Sequence, residues 1–130
     1  MSLQVKVITP EKVIWSDTSD QIVLPAVTGD LGILKDHISI ISFLKPGLLR
    51  VIDSSSKEET YYVEDGIIEF KNNCLSILTS NIFNIKKIDK NFVREALAKA
   101  EEETKKSDIS DQNKYLLDQK IDVLKSLTLN

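Results

Sequence analysis

All three prolines (Pro10, Pro25, Pro46) and all four glycines (Gly29, Gly32, Gly47, Gly66) stand within the first 66 residues, and residues 86–130 contain neither. Both residue types interrupt regular backbone. Long helices are therefore open to the second stretch, and short strands joined by turns are expected in the first. Charge divides the chain at the same place. Residues 1–85 carry 7 basic and 11 acidic side chains, while residues 86–130 carry 10 basic and 9 acidic in about half the length. Dense charge without breakers predicts exposed helices. The division falls near Ile85-Lys86-Lys87, which sets a β-sandwich domain over 1–86 and a two-helix unit over 87–130.

In the first half, short apolar or alternating runs are each closed by a turn signal. Leu3, Val5 and Val7 alternate with Gln4 and Lys6 until Thr9-Pro10 ends the run. Val13–Trp15 is closed by Ser16-Asp17, and Gln21–Leu24 is stopped by Pro25. Ile38–Leu44 runs into Lys45-Pro46-Gly47, where proline sets φ at the second turn position and glycine accepts a positive φ at the third. Leu48–Ile52, Thr60–Glu64, Ile67–Phe70, Leu75–Thr79 and Ile82–Ile85 follow. They are divided by Ser54–Lys57, by the hairpin signal Asp65-Gly66 and by Asn72-Asn73. So many short strands predict an antiparallel β-sandwich or flattened barrel rather than a parallel α/β sheet.

In the second half, Asp89 is placed to cap a helix by accepting from an otherwise unpaired amide. Phe92, Ala96, Leu97 and Ala100 form an apolar stripe at helical spacing that runs to about Lys106. Ser107–Asp111 interrupts it, with Ser110 or Asp111 as a second cap. Leu117, Ile121, Leu124 and Thr128 continue the period, widened by Leu116, Val123 and Leu127. Two helices with a short loop predict an antiparallel α-helical hairpin. Its first helix offers two large apolar side chains and two alanines, worth only a few kcal/mol by burial at roughly 1.5–3 kcal/mol each. Ordering the whole hairpin costs far more. It therefore needs a second surface, either the sandwich or a partner protein, and an element with two possible docking surfaces is a candidate switch.

Composition excludes several functions. With 42% hydrophobic and 28% charged residues the chain can form a packed core, and its net charge of −3 argues against a nucleic-acid binder. One cysteine, Cys74, and one histidine, His37, cannot build a four-ligand zinc site, so no metal and no cofactor is expected. Cys74 lies in an alternating run and reads as a buried strand residue rather than a nucleophile. No stretch approaches the ~20 apolar residues of a membrane span, and the opening MSLQVKVITP has no leader character. The expectation is a soluble chain made where it works, with any membrane role carried by a partner.

The segment Gly29-Asp30-Leu31-Gly32-Ile33-Leu34-Lys35-Asp36-His37 reads as a tight interstrand loop. It lacks the Gly-Lys-Ser/Thr ending and following helix of a P-loop. His37 has no recognisable nucleophile beside it; a hydrolase built from His37 with Ser39 or Ser42 lacks an oxyanion loop and a triad. No catalytic residue is assigned.

Residues Pro25 to His37, followed by Pro46-Gly47-Leu48-Leu49-Arg50, resemble the epsilon subunit of F-type ATP synthases. The opening Val7-Ile8-Thr9-Pro10-Glu11-Lys12 is similar to the family's start. Glu64-Asp65-Gly66-Ile67-Ile68-Glu69-Phe70 stands where the family has a Gly-Gly-Phe segment. Lys35-Asp36 replaces the family's Pro-Gly before the histidine, Ile38-Ser39 replaces its Ala-Pro after it, and Asp65 replaces the first glycine of the pair.

The resemblance implies a non-catalytic rotor subunit whose sandwich sits on the gamma subunit, with one end against the ring of c subunits. It assigns the ring-facing loop to Gly29, Asp30, Gly32 and His37. It also implies a hairpin that extends into the alpha and beta subunits of the catalytic head and restrains ATP hydrolysis, with Lys114, Lys120 and Lys125 as contacts to an acidic segment. Some relatives bind ATP through an Ile/Leu-Asp-x-x-Arg-Ala motif. Here Ile88-Asp89 matches, but Phe92 stands at the arginine position and Arg94 comes two places late, about 200° around the helix. Nucleotide sensing by Asp89 and Arg94 is the alternative reading. Similarity of the start and the Trp15 region to plastid and cyanobacterial members, with a richness in Lys, Ile and Asn that fits an AT-rich genome, points to the stromal face of a thylakoid. A bacterial membrane is the second setting.

Overall fold

The computed structural model describes residues 3–10, 13–53, 55 and 57–128, with the backbone alone over 13–17. Glu11 and Lys12 of the opening motif, Ser54 and Ser56 of the serine loop, and the Trp15 side chain lie outside the described residues. Ten strands come first: β1 (Leu3–Ile8), β2 (Val13–Ser19), β3 (Gln21–Ala26), β4 (Gly29–Leu34), β5 (Ile40–Leu44), β6 (Gly47–Ile52), β7 (Glu58–Val63), β8 (Gly66–Lys71), β9 (Cys74–Leu78) and β10 (Ile82–Asn84). Two helices follow, α1 (Lys90–Thr104) and α2 (Asp111–Thr128). The strands run in the order β10-β7-β6-β3-β5-β8-β9-β1-β2, with β4 on the other side of β3. Every pairing is antiparallel except β1 with β9.

The sheet folds over on itself at β3, where the ladder passes from β6 (Gln21–Val23) to a single bridge with β5 (Ala26 to Leu44). Pro25 sits at that handover inside β3 rather than ending the strand. Its carbonyl accepts from the Lys45 amide at 2.9 Å, and no ladder bond is lost to the missing N–H because β6 has already left. The two inner faces enclose one core: Leu3, Val5 and Val7 of β1, Ile22 and Leu24 of β3, Ile33, Leu49, Val63, Ile68, Phe70, Leu75 and Ile77 among them. This is the expected sandwich.

Several local expectations are corrected. Gly29–Leu34 is not a loop but strand β4, paired with β3 along its whole length from Ala26–Gly29 to Gln21–Leu34. Leu31 and Ile33 point to the core while Asp30, Gly32 and Leu34 are exposed, an ordinary period-two strand in which the glycines suggested a turn. β2 runs on to Ser19, β5 starts at Ile40, and α1 ends at Thr104. Cys74 opens β9 and is half-buried rather than buried.

Both helix starts follow the expected chemistry. The Asp89 carboxylate accepts from the Asn91 amide at 2.9 Å, and the Ser110 hydroxyl accepts from the Asn113 amide at 3.1 Å. The hairpin lies on the outer face of β6, β7 and β10. Alternation along β7 turns Tyr61 and Val63 inward and Tyr62 outward, where it forms a second core with Val93 of α1 and Leu124 of α2. Leu48 of β6 and Phe83 of β10 join it from the sheet, and Phe92, Ala96, Leu97, Val123 and Leu127 from the helices. Val93, absent from the expected stripe, is the side chain of α1 nearest to full burial alongside Ala100.

Candidate functional site

Three surfaces carry the residues of interest. The first is strand β4, an edge strand paired only with β3. Gly29 begins it at φ 127 with open space beyond its Cα, and Asp30 stands exposed opposite Pro25. His37 lies past the other end, so Asp30 and Leu34 alone are separated by roughly 13 Å at 3.3 Å per strand residue. The structure therefore spreads Gly29, Asp30, Gly32 and His37 along one edge and does not gather them at a tip. Asp36 takes φ 67 and is clamped to the β8–β9 turn: its amide donates to Asn73 Oδ1 at 2.6 Å, and Asn73 Nδ2 donates to its carboxylate at 3.0 Å. His37 Nδ1 is 2.7 Å from the Ile38 carbonyl, which can only accept, so Nδ1 carries the proton. The ring meets Phe70 edge-on at 5.9 Å. Among the described residues no hydrogen bond joins the imidazole to Ser39 or Ser42.

The second surface was not foreseen. Phe43 of β5, Ile67 of β8 and Leu78 of β9 are successive partners in register and form an apolar row on the outer face of that sheet. Ile41 lies two residues along β5, and the Val27 amide donates to the Phe43 carbonyl beside it. All five are exposed, Ile41 by 67% and Phe43 by 59%. A contiguous apolar row of this kind on a water-facing sheet marks an interaction surface. The available signal was that Ile40, Ile41, Phe43 and Leu44 are apolar on both faces of one strand.

The third surface is the seam between hairpin and sandwich. Lys120 of α2 donates to Glu64 Oε2, just past β7, at 3.1 Å, with both side chains half-buried. A cleft of about 360 Å³ opens beside the pair, lined by Asn81, Phe83, Phe92, Glu95 and Lys99 among others. The rings of Phe83 and Phe92 meet there with centroids 4.8 Å apart and planes tilted by 40°. Lys114 and Lys125 are exposed, so of the three expected head-contacting lysines only Lys120 is engaged within the chain. Asp89 is occupied as a helix cap, and Arg94 is exposed next to buried Val93, on the side of α1 turned from the seam.

Tyr62 is fully buried in this seam, and its hydroxyl has no hydrogen-bond partner. Burial, and then the Glu64 carboxylate, push its phenol well above the ordinary value of 10.0. An unmade buried hydrogen bond is costly, so Tyr62→Phe is expected to stabilise the docked hairpin by about 1 kcal/mol in a denaturant titration. Because the buried form resists ionisation, Tyr62 contributes fully below pH ~10 and loses up to about 1.4 kcal/mol per pH unit above it. Lys99 and Lys120 also face the seam, so the readout is the difference between the two proteins. Wild type should weaken more steeply than Tyr62→Phe as pH rises.

A family model for the β-sandwich domain of the ATP synthase delta/epsilon chain matches residues 2–85. An ATP synthase epsilon chain of Pelagibacter ubique is 61% identical over 125 residues, 95% of each chain. The chain belongs to the ATP synthase epsilon family. It is therefore a non-catalytic chain by kinship. The epsilon chain of Dichelobacter nodosus is 38% identical over 105 residues, 81% of this chain and 73% of its own. The chloroplastic epsilon chain of Pylaiella littoralis is 38% identical over 100 residues, 77% of this chain and 75% of its own. Among solved structures, a chain of the Euglena gracilis mitochondrial ATP synthase superposes with a TM-score of 0.76 at 17% identity, over 98% of this chain and 80% of its own. That likeness shows a shared fold.

Proposed function

We propose that this epsilon-family chain is a central-stalk subunit of a proton-translocating F-type ATP synthase, with the sandwich (1–86) as anchor and the hairpin (87–130) as a restraint on ATP hydrolysis. The observation that carries the reading is the 61% identity to a named epsilon chain across both parts, hairpin included. The exposed row of Phe43, Ile67 and Leu78 is the face we assign to the gamma subunit, since it is the apolar surface left open once the hairpin covers the other sheet. The ring of c subunits is assigned to the β4 edge, so contact runs along Asp30 and Gly32 toward His37 rather than at one loop tip. Lys114, Lys120 and Lys125 are the groups through which a released hairpin meets the alpha and beta subunits.

No helix among the described residues is long and apolar enough to cross a membrane. The bacterial setting has the stronger support: the 61% identical relative is bacterial, whereas the chloroplastic one stands at 38%. Nucleotide sensing between the helices is not favoured, because Asp89 is engaged as the cap of α1 and Arg94 is exposed.

The test adds the full chain, the chain cut after Ile85, and Phe43→Asp to a matched catalytic head that contains gamma but lacks epsilon. Full and cut chains should both bind, only the full chain should slow hydrolysis, and Phe43→Asp should weaken binding at least tenfold as a central interface residue. If neither wild-type form binds, the stalk assignment falls. Equal inhibition by full and cut chains would keep the assignment and discard the hairpin as the restraint.

A further inference from the structure

We infer that the Glu64–Lys120 pair is an electrostatic latch that holds the hairpin docked and, while closed, withholds Lys120 from the catalytic head. The pair joins residues 56 positions apart and ties the hairpin directly to the sandwich. Its geometry is that of a direct charge-assisted bond. The apolar seam gives adhesion but little register, since only Tyr62, Val93 and Leu124 are fully enclosed there. A directional charge pair at its rim supplies the register. The cleft beside it lets water and salt reach the pair, so the latch is one that ionic strength can open.

The withholding of Lys120 follows from chemistry as well as position. An ammonium bonded to Glu64 within the chain cannot at the same time meet a carboxylate on another subunit. Opening the latch exposes the apolar stripe and the cation together. This second half rests on the hairpin reading proposed above; the latch itself is a property of the isolated chain, and the two are tested separately.

Amide hydrogen exchange of the full chain reads the latch. Glu64→Gln and Lys120→Gln are each expected to raise exchange over residues 93–100 and 117–127 about tenfold, between the effects of exposed and buried pairs. Amides of β8 and β9 serve as the folding control and should not change. The reversed pair, Glu64→Lys with Lys120→Glu, should recover most of the protection. Wild-type exchange in these helices should rise between about 0.05 and 0.5 M salt, and that of either single variant should not. Unchanged exchange in the single variants, a reversed pair no better than either, or a flat salt response in wild type each overturns the latch. On the catalytic head, Glu64→Gln frees Lys120 and should inhibit hydrolysis more than wild type, whereas Lys120→Gln should not. Equal inhibition by the two overturns the withholding of Lys120 and leaves the latch standing on its exchange data.

Discussion

Replacing Leu124 with alanine is expected to release the helical hairpin while the sandwich stays folded. Leu124 is the one fully buried side chain of α2, and it closes the cluster that joins Val93 of α1 to Tyr62 of β7. Shortening a buried leucine to alanine costs about 2–5 kcal/mol through lost transfer energy and the cavity left behind. The sandwich has its own core, and Leu124 is not part of it. The loss therefore falls on docking, where 1.4 kcal/mol is already tenfold in the equilibrium. Amide exchange over both helices should rise by thirtyfold or more, and β1, β8 and β9 should keep wild-type protection. If protection is lost from strands and helices together, hairpin and sandwich are one cooperative unit, and a hairpin that detaches on its own is excluded.

The largest expected effect on the sandwich itself comes from Gly66→Ala. Gly66 begins β8 at φ 151, and a Cβ there would lie 2.6 Å from the Leu78 carbonyl oxygen and 3.1 Å from Leu44 Cδ1. The first of these is backbone at the end of the β8–β9 ladder, where Leu78 pairs with Ile67, and cannot step aside as a side-chain tip does. Backbone strain and overpacking each contribute about 1–3 kcal/mol, so a total of about 2–6 kcal/mol is expected from urea midpoints at an unchanged slope. Gly29→Ala is the matched control. Gly29 also has a positive φ, 127, but nothing lies within 4 Å of its added Cβ. It should cost clearly less. Equal losses at the two positions would mean that conformation, not the approach of β9, makes the glycine necessary.

These glycines show how legibility varied along the chain. Asp65-Gly66 announced its turn because the requirement is local: one residue whose backbone only glycine adopts easily. Gly29 and Gly32 sent the same signal and misled, since β4 uses them inside a paired strand whose true mark was the alternation of Leu31 and Ile33. Pro25 misled in the opposite way. It would have ended a strand hydrogen-bonded along both edges, but β3 changes neighbours there, and that change is invisible without the fold. Cys74 read as buried because it begins an alternating run, yet as the first residue after the Asn72-Asn73 turn it stays at the rim.

What the amino-acid sequence determined by itself was everything that acts over a few residues. Nine of the ten short strands, the helix caps at Asp89 and Ser110, and the family motif from Pro25 to His37 all belong to that class. Capping, turn formation and periodic burial are decided between neighbours along the chain, so they can be read from order alone. Only the tertiary structure decided which surfaces meet. Nothing near Tyr62 says that it faces outward under a helix, nothing near Glu64 names Lys120, and nothing in β5 says that Phe43, Ile67 and Leu78 align. Those outcomes depend on register across the sheet and on the face against which the hairpin docks. Register is set by the simultaneous burial of both inner faces, a condition on the whole sandwich that no local stretch of sequence contains.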